Sequence, residues 1–90
     1  MATTFEDRER AVKTMISAVA AHNPVNSGRW DGSLIHQAVE KLTDLVLNVD
    51  RGNETEVAAV ERHRRTLSAV INEAVERTIR IREELASSRR

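Results

Sequence analysis

Between Glu54 and Ala86 the chain contains neither glycine nor proline. Apolar residues recur there at steps of three and four: Val57, Val60, Leu67, Ile71, Ala74, Ile81 and Leu85, with Arg64 and Thr78 filling the two gaps. That spacing describes one long helix with an apolar seam. At about 1.5 Å per residue it would run to roughly 50 Å, about twice the width of a compact globule made from a chain this short. A rod of that length needs other helices, or another chain, to cover its seam.

A chain of 90 residues supports one domain, and a core of that size is marginal without a disulfide, a metal or a partner subunit. Cysteine is absent, which removes disulfides, thiol catalysis and cysteine-type zinc sites and is compatible with a reducing cytosol. The first ten residues are polar and charged, and no stretch approaches the roughly 18 apolar residues of a membrane span. A cytoplasmic protein without membrane association is therefore expected.

Fourteen basic residues balance fourteen acidic ones, so no global field draws the chain onto nucleic acid or an anionic membrane. Only Lys13 and Lys41 interrupt an otherwise all-arginine basic set, a bias expected of a GC-rich genome as readily as of bidentate recognition. Phe5 and Trp30 are the only aromatic residues, too few for a base-stacking platform.

The patterning predicts an all-α domain over 1–90: a three-helix bundle with a long C-terminal helix. Helix one covers about 4–22, with Thr3 or Thr4 as its N-cap and acidic residues in its first turns. Phe5, Val12, Met15, Ile16 and Val19 fall on one face of it. The segment 23–32 holds the only proline and two of the three glycines, and so forms a loop containing Trp30. Helix two covers about 33–50, capped by Asp31 or Ser33. Its wide stripe of Ile35, Ala38, Val39, Leu42, Leu45, Val46 and Val49 makes it the most buried helix expected. Gly52 suits a left-handed C-terminal cap, and Asn53 with Glu56 resembles a capping box opening helix three at about 54–86. The short turn predicts an antiparallel hairpin of helices two and three, and 87–90 reads as a frayed tail. Either the first two helices lie in succession along the third, or its C-terminal half projects. Both arrangements favour a homo-oligomer, with a dimer foremost.

Several features could carry chemistry, each with a plainer competitor. His36, Glu40 and Asp44 form one stripe on helix two that could hold a cation or supply a general base, but the stripe lies opposite the apolar face, where solvated charge is usual. Glu73, Glu76, Glu83 and Glu84 could serve a magnesium-dependent hydrolase. Glu61 precedes Arg65, Glu73 precedes Arg77 and Glu76 precedes Arg80 by four residues, so exposed ion pairs account for these carboxylates. No phosphate loop, nucleophile elbow, zinc motif or dinucleotide fingerprint occurs. No catalytic residue, cofactor or metal is assigned, and an enzyme is not expected.

Arg62, Arg64, Arg65, Arg77, Arg80, Arg82, Arg89 and Arg90 make helix three and the tail the basic part of the molecule. Interleaved glutamates neutralise much of it, which disfavours nucleic acid as a partner. Arg64 interrupts the apolar seam, either snorkelling its methylenes along it or pairing with a carboxylate across an interface. Thr78 interrupts it less sharply. Trp30 beside Arg29 has the composition of an interface hot spot, though folding back over the bundle end is the commoner fate of such a residue. Leu47 projects away from the main stripe of helix two and is a further candidate contact. The expected function is a non-enzymatic protein–protein interaction module. Leu67, Ile71, Ala74, Thr78, Ile81, Leu85 and Arg64 are assigned to an oligomer or partner interface, and Trp30, Arg29 and Leu47 to a partner hot spot. A dimeric nucleic-acid-binding regulator using the helix-three arginines is the second reading, and a metal-dependent hydrolase the third.

Overall fold

The computed structural model describes residues 4–22 and 32–88. These residues form α1 (Phe5–Ala21), α2 (Gly32–Leu47) and α3 (Glu54–Ser88), an all-α arrangement. Thr4 opens α1 as a reciprocal cap: the Asp7 amide donates to Thr4 Oγ1 at 3.2 Å and the Thr4 amide donates to Asp7 Oδ2 at 3.3 Å. Two of the otherwise orphaned N–H groups are satisfied in this way. Asn53 does the same for α3, accepting from the amides of Thr55 and Glu56 while its side-chain amide donates to Glu56 Oε2. Glu56 Oε1 also accepts from the Asp50 amide, which ties the connection between α2 and α3 to the first turn of α3.

The ends of α2 differ from expectation. Ser33 lies inside the helix, so it is not the cap, and Asp31 lies outside the described residues. The helix stops at Leu47, where the Asn48 backbone amide is shared between the Asp44 and Leu45 carbonyls and its side-chain amide also donates to the Asp44 carbonyl at 2.8 Å. Gly52 stands five residues beyond that end and does not adopt a left-handed backbone. Its amide donates to Asp50 Oδ1 at 3.0 Å in an Asx turn, so the side chain of Asp50 shapes the connection.

The helix α3 is a single rod of 35 residues, about 52 Å at the standard rise, in a molecule 58 Å in its longest dimension. Arg8 near the start of α1 reaches Asp44 near the end of α2 at 3.3 Å, and Lys41 lies beside Ala11 and Met15, so these two helices run antiparallel. The N-terminal ends of α1 and α3 meet, with Thr4 and Phe5 beside Asn53 and Ala59. The helices α1 and α2 therefore lie side by side along the earlier part of α3, and its last turns project past them, as in the second of the two expected arrangements. Val12, Val19, Ala38 and Leu45 have no exposed surface, and Ile16, Val60 and Leu67 complete the core. Burial on α3 extends as far as Thr78, and beyond it only Ile81 is even half covered.

Packing is unequal among the three pairs: α1 against α2 is the most extensive and α2 against α3 the least. As a result α2 is not the most buried helix. Only Ala38 and Leu45 on it are buried, Ile35, Leu42, Val46 and Val49 are half covered, and Val39 is 46% exposed. The looser α2/α3 side leaves apolar surface that a fully closed bundle would cover.

Candidate functional site

An α-helix turns about 100° per residue, so seven residues fall about 20° short of two full turns. Over α3 that shortfall separates the two halves of the expected seam. The series Val60, Leu67, Ala74 starts near the centre of the buried face and stays buried. The companion series Val57, Arg64, Ile71, Thr78 walks around the helix: Val57 and Arg64 are exposed, Ile71 is half covered and Thr78 is buried. Only a supercoiled helix would keep both series on one face.

The buried position near Arg64 is occupied instead by His63, 6% exposed, whose Nε2 lies 2.9 Å from Glu9 Oε2. A carboxylate accepts, so Nε2 carries the hydrogen in this bond. Glu9 is positioned by α1 and also lies 3.9 Å from Lys13. The pair joins α1 to α3 across the core edge. Its sequence signal was available, since Ala59, His63 and Val70 continue the buried face, but a histidine in that series reads as polar.

The other assigned interface residues separate into three groups. Leu67, Ala74 and Thr78 are consumed by the chain's own packing. The Thr78 hydroxyl is satisfied locally, donating to the Ala74 carbonyl at 2.9 Å. Ile81 is half covered and Leu85 is 40% exposed, both past the end of the bundle. Arg64 sends its guanidinium outward, 3.5 Å from Glu61. Its stem lines a shallow depression with Leu42, Thr43, Val46 and Leu47, so the structure brings Arg64 and Leu47 together. Trp30 and Arg29 lie outside the described residues.

A second apolar row emerges beside that depression. Ile71, Val75 and Ile79 follow one another at four-residue steps, and Val75 and Ile79 are about half exposed. Leu42 of α2 lines a further shallow groove with Arg64, Leu67, Ser68, Ile71 and Asn72 of α3. Val75 and Ile79 sit off the main seam, although their four-residue spacing from Ile71 is the signal of a second face.

The charged stripes resolve into local partners. His36 Nε2 is 3.0 Å from Glu40 Oε1, whereas Asp44 turns to Arg8 and Asn48. Among the described residues, no three histidine or acidic side chains are grouped as a metal site would require. The expected four-residue pairs of α3 do not form; Glu61 pairs with Arg64, and Arg77 folds inward with Nε and Nη2 buried and without a hydrogen-bond partner. The arginines of α3 point around the whole helix. Arg62 and Arg80, and likewise Arg64 and Arg82, are eighteen residues apart and share a face, but about five turns, roughly 27 Å, separate each pair.

The depression where α1 and α3 begin is lined by Thr4, Phe5, Glu9, Asn53, Glu56 and Arg62 among others. Both helix ends there are already capped by Thr4 and Asn53, so few free amides remain for an anion. No described helix is long and apolar enough to cross a membrane. Set against protein-family models, curated proteins and solved structures, the chain matches none.

Proposed function

We infer that the chain is a small non-enzymatic protein–protein interaction module, an adaptor, regulator or inhibitor of bacterial or phage origin working in the cytoplasm through helix faces. The antiparallel α2–α3 hairpin and self-association into a homo-oligomer, with the dimer foremost, belong to the same reading. The observation that carries it is the incompletely covered α2/α3 side, where Val39 of α2 and Val75 and Ile79 of α3 stay about half exposed. Apolar surface gathered along one side of a small bundle is what helix-in-groove recognition uses.

The scatter of arginines around α3 gives the nucleic-acid alternative no continuous basic face, and the interleaved carboxylates dilute it further. A salt titration separates the two. Immobilised chain is challenged with host extract and, in parallel, with random-sequence duplex DNA, from low to high salt. Retention of protein that persists at high salt supports the interaction reading. Retention of DNA that weakens steeply with salt, with no protein retained, overturns it.

A further inference from the structure

We propose that the occupant of the Ile71–Val75–Ile79 row is a second copy of this chain, docked with its own α3 antiparallel to the first. The inference rests on the interaction reading above and specifies its surface, partner and register. Charge placement is what selects the occupant. Arg65 and Glu83 are eighteen residues apart, close to five whole turns, so they stand on the same edge of the row, one towards each end. Neither has an ion-pair partner among the described residues.

In an antiparallel helix pair, like edges face each other. A two-fold axis midway between Arg65 and Glu83, near Ala74, sets each Arg65 opposite the second copy's Glu83, so the match is made twice. The same axis seats Val75 between the second copy's Ile71 and Val75, and seats Ile71 between its Val75 and Ile79. Asn72 then meets the second copy's Glu76 on the same edge as the charge pair. A parallel pairing would instead leave the two Arg65 level with each other on opposite edges of the interface, each about five turns away from either Glu83. The centre of the row presents Ser68, Ile71, Asn72, Val75 and Ile79, with Glu76 on the edge beside Asn72 and Arg82 beyond Ile79, so that charge gathers at its rim.

The test is the dissociation constant of the full chain by sedimentation equilibrium, with helicity followed by circular dichroism. Wild type is expected to form a dimer of twice the 10.1 kDa chain mass. Val75→Glu is expected to abolish it without loss of helix, because Val75 is 49% exposed in the single chain. Arg65→Glu and Glu83→Arg, each placing like charges opposite one another, should each weaken the dimer by about tenfold or more, and the double variant should restore it. Within one helix the two residues are too far apart to couple, so restoration reports contact between copies. A monomeric wild type, a dimer that survives Val75→Glu, or single reversals that the double variant does not rescue overturns the proposal. A monomer that still retains host protein at high salt overturns it while leaving the interaction reading standing.

Discussion

His63 Nε2 on α3 lies 2.9 Å from Glu9 Oε2 on α1, and the histidine side chain is 7% exposed against 19% for the glutamate. Glu9→Ala would leave the imidazole buried without this partner, and is expected to cost about 1–3 kcal/mol of stability in a urea unfolding curve. The double variant Glu9→Ala with His63→Leu should recover much of that loss, because an apolar pair has nothing left unsatisfied. A single variant as stable as the parent would show that the bond contributes nothing.

Two leucines on α2 make a controlled contrast. Leu45 has no exposed surface and Leu47 is 77% exposed. Leu45→Ala should destabilise the chain by about 2–5 kcal/mol through lost burial and a residual cavity. Leu47→Ala should stay within about 0.5 kcal/mol of the parent. Equal effects would place the core elsewhere.

Gly52 provides a test of the connection between α2 and α3. A Cβ there would meet Asp50 Oδ1 at 3.4 Å, an ordinary contact. Gly52→Ala is therefore expected to be neutral or to stabilise by about 0.4–1 kcal/mol through the unfolded chain. A left-handed cap at that position would instead lose roughly 1–2 kcal/mol. Asn53→Ala, which removes the side chain holding the first turn of α3, should cost about 1 kcal/mol.

Arg77 carries Nε and Nη2 buried without a hydrogen-bond partner. Replacing it with methionine keeps the length of the side chain and removes the unsatisfied donors. Thermal unfolding of Arg77→Met should occur at the parent temperature or above it, with a gain of up to about 1 kcal/mol. A clear loss would reveal a partner that the guanidinium serves.

The long α3 was legible because thirty-odd residues without glycine or proline leave a helix few alternatives, and Thr4 and Asn53 announced the helix starts through their own hydrogen-bonding chemistry. The orientation of α3 was less legible. A strict seven-residue count treats Val57, Arg64, Ile71 and Thr78 as equivalent, whereas an ordinary α-helix carries them from solvent into the core. That drift misplaced Arg64 and hid His63. The end of α2 was misread for a different reason: the chain leaves the helix at Asn48, and Gly52 sits instead in an Asx turn held by Asp50. The Ile71–Val75–Ile79 row became visible only once the directions of α1 and α2 showed which side of α3 they leave open.

Solution mass of the unmodified chain, followed by sedimentation velocity from low micromolar to near-millimolar concentration, tests most directly whether α3 presents a face for a second copy. The result expected is a concentration-dependent rise from the 10.1 kDa chain to twice that mass, with no larger species. A mass fixed at that of one chain across the whole range would contradict it.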